Sequence, residues 1–376
     1  MFVPVLLVAS TAQTQQLKLR SLRVDPSYFY NLYPGSTVQS IAADVVSKAK
    51  AAGANALVVT AYNSTYGAFY KTTYNLTTVE SGYGAANIFK ELTLAAKSQG
   101  LITIASVPVN NFKKVWDSKQ AWRAKMSSGA DYIPASNQHL LCVWHSDFRT
   151  WLGGFYDDLL LNNPNVDGIE AVEPYIDYNW MKESDYNSAA TKKFKSSYPG
   201  GKLGDANWLK LRAQGLTDLI AIMNTKAAKY GKKTFLVQTW PVKSDGTMYS
   251  ADFIRDNIGL DFDGILNLTG TNKLNYLTGE FMWQMWAAEY GRPVYSPYNW
   301  TRQVAGNFIS FVAGRSISVI HLEISPFWGT FGYVAPNDLE FADSLSAVKD
   351  LNAGIDVYDF SQIFVLGTWS TLTTWN

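Results

Sequence analysis

Short β-branched runs alternate with longer amphipathic runs along this chain, about eight times over. Runs with strand character lie at 22–25, 56–60, 101–107, 166–172, 234–239, 262–268, 293–295 and 317–324. Between them, apolar residues three and four apart predict helices over 38–52, 86–99, 148–161, 207–229, 279–290 and 301–313. Strand, helix and strand in steady repetition is the pattern of parallel strands joined by helical crossovers. Eight repeats predict an α/β fold, a (β/α)8 TIM barrel. In that closure the run at 317–324 is the eighth strand and lies beside the first.

The connections are asymmetric. Helices run into the next strand through single turns marked by Gly53, Gly100 and Gly231, whereas the strand-to-helix segments 61–85, 108–145, 173–206 and 240–250 are long and rich in Tyr, Trp, Asn and Pro. In a barrel of this kind the elaborated loops form the functional end. No composition shift or linker divides the chain, so a single domain is expected over 19–355. Residues 1–18 read as a leader or clipped signal peptide, and 356–376 as an aromatic, strand-like tail.

Composition narrows the partners. Of 376 residues 47% are hydrophobic, ample for a core, and 32 Lys and Arg balance 31 Asp and Glu for a net charge of +1. That balance leaves no basic footprint for nucleic acid or an anionic membrane. Cys142 is the single cysteine, so packing rather than a disulfide holds the chain. The apolar run from Met1 ends in Ser10-Thr11-Ala12, small residues of the kind that precede a signal-peptidase cut, and it is too short to span a bilayer. These features predict a secreted or cell-surface monomer with no membrane span and a neutral, polymeric ligand, a polysaccharide.

Glycoside cleavage typically needs a carboxylic acid that protonates the leaving oxygen and a second group acting on the sugar carbon. The fourth run reads Asp167-Gly-Ile-Glu170-Ala-Val-Glu173-Pro-Tyr175-Ile-Asp177. Alternation places Asp167, Ile169, Ala171 and Glu173 on one face and Glu170 on the other, with Glu173 at the carboxyl tip. Pro174 and neighbouring aromatics would desolvate Glu173 and raise its pKa, as suits a general acid. Asp177 is a further candidate, or a turn former. In the run at 317–324, His321 and Glu323 share a face, and the first strand carries Arg23 and Asp25. Asp25 and Glu323 are catalytic candidates and Arg23 and His321 substrate-binding ones. The alternative is that Arg23, Asp25 and Glu323 form a buried network that plugs the barrel.

Aromatic residues gather in the long loops, among them Tyr28, Tyr62, Trp144, Tyr175, Trp240, Trp300 and Trp328. Sugar rings stack on such platforms, so these are candidate substrate contacts, with Asn299 beside Trp300. His139, Cys142 and His145 have metal-like spacing in an apolar stretch and lack a fourth ligand, so neither a metal site nor a cofactor is expected.

In order along the chain, Val24-Asp25-Pro-Ser-Tyr28-Phe-Tyr30, Thr60-Ala-Tyr62, Val107-Pro-Val109, Phe155-Tyr-Asp-Asp-Leu159, Asp167-Gly-Ile169 and Asn299-Trp300 resemble the glycoside hydrolase domain family of the poly-N-acetylglucosamine processing protein PgaB. The resemblance spans roughly 22–339. It implies a barrel hydrolase of an extracellular, amino-sugar polysaccharide, with Glu173 at the position of the family's essential acid. Val172 and Pro174 replace the family's flanking His and second Asp. An N-acetyl group of the substrate could then serve as nucleophile. Glu173-Pro174 is also similar to the Asn-Glu-Pro acid/base of retaining barrel glycosidases, with Val172 for Asn. Those enzymes carry a nucleophilic carboxylate after the seventh strand, where the run at 293–295 offers only Tyr295, Tyr298 and Asn299. The expected activity is endo-acting hydrolysis, with a non-catalytic carbohydrate-binding barrel as the alternative.

Overall fold

A computed structural model describes residues 18–177, 182–243, 245–281, 283, 296–324 and 337–376. Eight parallel strands close into a barrel: β1 (Arg20–Val24), β2 (Ala56–Thr60), β3 (Ile102–Val107), β4 (Gly168–Val172), β5 (Lys233–Thr239), β6 (Tyr276–Phe281), β7 (Ile317–Glu323) and β8 (Gly354–Tyr358). Each strand pairs with its neighbours in sequence order, and β1 closes on β8 with Arg20 opposite Ile355. Outside lie α1 (Val38–Ala51), α2 (Ile88–Ser98), α3 (Ser146–Asn162), α4 (Ala206–Lys229), α5 (Phe262–Leu266), α6 (Pro297–Val312), α7 (Asp338–Val348) and α8 (Phe360–Leu366). Gly53 and Gly100 take φ of +88° and +74° in the tight helix-to-strand turns, a conformation that costs glycine little.

Four elements differ from the sequence expectation. The run at 262–268 is helical: Asp261 caps it by accepting from the Gly264 N–H at 2.9 Å, and Phe262, Ile265 and Leu266 are buried at helical spacing. The sixth strand is instead Tyr276–Phe281, the start of the expected helix 279–290. It is buried on both faces, so its alternation of polar and apolar residues does not mark a solvent side. The remainder of that helix other than Trp283, the run at 293–295 and all of the leader 1–18 but Lys18 lie outside the described residues. Consequently Ile317–Glu323 is the seventh strand, lying between β6 and β8 rather than beside β1. The expected tail supplies the eighth strand and α8, and a boundary at 355 cuts through β8.

Register separates two cores. Leu22, Leu57, Ala105, Ile169, Leu277, Ile320 and Ile355 point outward into the apolar layer shared with the helices. Ala56, Val58, Ile104, Phe235 and Val319 form a second apolar cluster inside the lower barrel. From Val58 of this cluster upward, the strand pairings stack side chains from alternate strands in layers. Val58, Glu170, Thr278 and Asp356 lie in one, then Arg23, Ser106, Val237 and His321, then Thr60, Val172, Glu280 and Tyr358. No helix among the described residues is long and apolar enough to cross a membrane.

Candidate active site

The carboxyl ends of the strands surround a cavity of about 430 Å³. Its wall holds four carboxylates, Asp25, Glu173, Glu280 and Glu323, with Arg23 and His321 below them. Tyr28, Tyr62, Tyr175 and Tyr358 supply the aromatic surface, and Asn63, Asn110, Asn111, Asn137 and Gln138 a carboxamide rim. Phenol and amide groups beside acids suit a hydroxyl-rich neutral ligand.

The floor is an ion-pair network. Arg23 donates from both terminal nitrogens to the two oxygens of Glu170, at 2.9 and 2.8 Å, and from Nε to Asp356 at 2.5 Å. Nδ1 of His321 lies 2.6 Å from the same Asp356 oxygen, and Ser21 donates to the other at 2.6 Å. All four charged or titratable side chains are buried. Burial pushes Asp356 upward, but Arg23 and His321 outweigh it and hold the carboxyl down at about 2. Burial lifts Glu170 and lowers His321 in spite of their partners. A plug does therefore exist, built from Arg23, Glu170, Asp356 and His321 rather than from Arg23, Asp25 and Glu323.

Face parity on β4 is the reverse of the sequence expectation. Glu170 points into the barrel while Ile169 and Ala171 pack outward. Glu173 would follow them outward, yet it borders the cavity because the strand ends there: its φ is +40°, and its N–H donates to the Val237 carbonyl at 2.9 Å. Holding a non-glycine residue in this region costs about 1–3 kcal/mol, strain that surrounding structure must offset. Glu173 is exposed at the rim, not desolvated by Pro174.

Glu323, last residue of β7, is driven well above the ordinary carboxylate range by burial, with the charges of Glu173 and Asp359 adding to it. Glu280, which sequence reasoning missed, is only 6% exposed. It too is pushed well up, by burial and then by Glu173 and Glu323. Thr239 donates to its Oε2 at 2.8 Å. The signal for Glu280 is the alternation of Tyr276, Thr278 and Glu280 against outward Leu277 and Phe281. Asp25 accepts from the N–H and hydroxyl of Ser27, at 2.9 and 2.7 Å, and shapes the turn after β1 while bordering the cavity.

Other candidates lie elsewhere. Asp177 is fully buried away from the cavity, paired with Arg212 and accepting from the Ser184 N–H at 2.7 Å; its role is structural. Trp240 is completely buried among Phe262, Phe308 and Phe311, and Trp300 packs against Trp283. Trp144 donates to the Leu211 carbonyl at 3.0 Å on the helix layer, and Asn299 is exposed in the first turn of α6. None of these four borders the cavity. A (β/α)8 shell buries large aromatics between strands and helices, which is why loop position alone does not identify a sugar platform. Trp328 lies outside the described residues. His139 and His145 pack edge-on to Trp116 and tilted on Trp122, and Cys142 is buried in a cluster with Phe194 and Trp208.

No family model matches the chain, and no curated protein matches it in sequence. Solved structures do. The chain is similar to α-L-fucosidase isoenzyme 2 from Paenibacillus thiaminolyticus, with TM-score 0.60 and 12% identity over 96% of this chain and 49% of that one. The cold-adapted β-galactosidase from Rahnella sp. R3 gives TM-score 0.62 and 12% identity over 92% and 51%. The endo-β-1,4-mannanase from Thermotoga petrophila gives 0.53 and 11% over 92% and 68%. What the chain shares with them is the closed (β/α)8 barrel. At this identity the likeness carries the architecture alone, and the chain spans about half the length of the fucosidase and galactosidase chains.

Proposed function

We propose that this chain is a glycoside hydrolase that cleaves a polysaccharide by a double displacement between Glu173 and Glu323. The supporting observation is that carboxylates from the ends of β4 and β7 face one cavity and are close enough for the Glu173 charge to act on Glu323. Glu323 ends the seventh strand, which supports the retaining-glycosidase resemblance over an N-acetyl nucleophile. In this reading Glu173 is the acid and Glu323 the nucleophile. Glu173 gives its proton to the glycosidic oxygen while a Glu323 oxygen bonds to the anomeric carbon and the sugar–oxygen bond breaks. Water, deprotonated by Glu173, next displaces Glu323 and restores both acids.

The carboxamide side chains along the cavity favour an endo-acting enzyme on a long chain, and we take it to be a secreted or cell-surface monomer, the first on account of the apolar leader. The PgaB-like segments make an amino-sugar polymer the first substrate to try. A non-catalytic glycan-binding barrel is the second reading, favoured by Val172 and Pro174 beside Glu173. Release of reducing ends from a polysaccharide panel should fall at least ~10³-fold in Glu173→Gln and in Glu323→Gln, as for groups acting in chemistry. Equal turnover by either variant and wild type removes that residue from the mechanism; retention of a glycan without turnover selects the second reading.

A further inference from the structure

Glu280 has no part in the displacement just described, yet it is the deepest carboxylate of the cavity. It projects from β6 one layer below the rim, with its Oε2 accepting from Thr239 on β5. The groups around it come from every neighbouring strand. Glu173 follows β4, Glu323 and His321 stand on β7, Arg23 on β1 and Tyr358 on β8. Of these, one is a permanent cation, and Arg23 is already engaged by Glu170 and Asp356. A carboxylate buried beside other acids, with no free cation facing it from the described residues, is stable only as the neutral acid. A neutral carboxyl is a hydrogen-bond donor as well as an acceptor.

We propose that Glu280 orients the substrate, donating its carboxyl O–H to a sugar hydroxyl on the cavity floor while Thr239 holds the opposite oxygen. Glu280 is thus a substrate-positioning residue, distinct from the two groups that exchange protons and bonds with the glycan. The upward push on its pKa by burial and by Glu173 and Glu323 agrees with the neutral form. The proposal rests on the hydrolase reading, and it has a binding consequence of its own. Affinity for a neutral sugar is full while Glu280 is protonated and declines as pH rises through its titration. The carboxamide introduced by Glu280→Gln cannot ionise, and its N–H takes over the donor role.

The test uses hexasaccharides of β-1,4-mannose, β-1,4-galactose and β-1,4-N-acetylglucosamine as probes, with the full chain, across pH 5–9. Calorimetric affinity should fall about tenfold in Glu280→Ala, the scale of one buried hydrogen bond to a ligand. In Glu280→Gln most of the affinity should remain, and the alkaline decline should vanish. Where a probe is cleaved, Glu280→Ala should raise KM more than it lowers kcat. Thermal melts on both variants report any loss of fold. Equal affinity in wild type and Glu280→Ala, or an alkaline decline that persists in Glu280→Gln, overturns this inference. Binding without cleavage overturns the hydrolase reading while leaving Glu280 testable, and absence of both binding and cleavage overturns both.

Discussion

Replacing Arg23 with Met should destabilise the barrel more at neutral pH than in acid, because Arg23 is the permanent cation between two buried carboxylates. Its side chain bonds Glu170 through two nitrogens and Asp356 through a third, and all three residues are buried. Removing one partner from a buried ion network costs about 3–5 kcal/mol, since the remaining charges are left without solvent or counter-ion. Asp356 gives an internal check on this figure. Its fall from an ordinary 3.8 to about 2 amounts to roughly 2–3 kcal/mol of preference for the folded, ionised form.

The sign follows from linkage. Asp356 is depressed in the folded state, so its contribution is complete above its unfolded pKa and is lost as pH falls from about 4 to 2. In Arg23→Met both carboxylates lose the group that favours ionisation, and burial raises them. Their neutral forms then suit the folded state, so the variant loses stability as pH rises through the shifted values. The gap between wild type and variant should therefore be roughly 3–5 kcal/mol near pH 7 and narrow towards pH 4. Urea unfolding at a series of pH values measures it. A gap below ~1 kcal/mol at pH 7, or one that widens in acid, would refute the account of the floor as a charge-compensated plug.

Glu173→Gly should abolish turnover yet raise the unfolding free energy by up to ~1 kcal/mol, because glycine takes the +40° φ without steric cost; an unchanged or lowered unfolding free energy in urea means that the backbone there is not strained. Trp240→Ala should cost about 3–5 kcal/mol by opening a hole among Phe262, Phe308 and Phe311, while glycan affinity of the folded fraction stays near wild type. A selective loss of affinity would return Trp240 to the binding surface.

The sequence made the barrel legible through its outward faces. Leu22, Leu57 and Ala105 belong to an apolar shell that every strand must contribute to, so β1, β2 and β3 stand out as β-branched runs between helices with a wet side. Strand β6 lacked such contrast, because Thr278 and Glu280 turn inward where Leu277 and Phe281 turn outward, and all four are buried. Strand β8 was hidden differently: Asp356 looks like a surface residue in sequence and becomes the counter-ion of Arg23 only after the cylinder closes. The same inversion concealed Glu170. Local pattern assumes that polar means solvent, and a barrel that fills its own axis with an ion network breaks that assumption.

For the site, one misplaced strand had the largest effect. With 293–295 counted as the seventh run, Glu323 appeared to stand on the eighth and the carboxylate pair seemed incomplete. Pairing of β7 with β6 and β8 moves Glu323 one strand round and sets it in the same cavity as Glu173. Chemistry that requires two acids thus depends on a count that local propensity cannot make, since the number of strands before Glu323 is fixed by closure with Gly354–Tyr358 near the end of the chain. A residue's catalytic eligibility in such a fold is a property of the whole cylinder: shifting Glu323 by one strand changes which acids can reach a single sugar ring, although no residue near it changes.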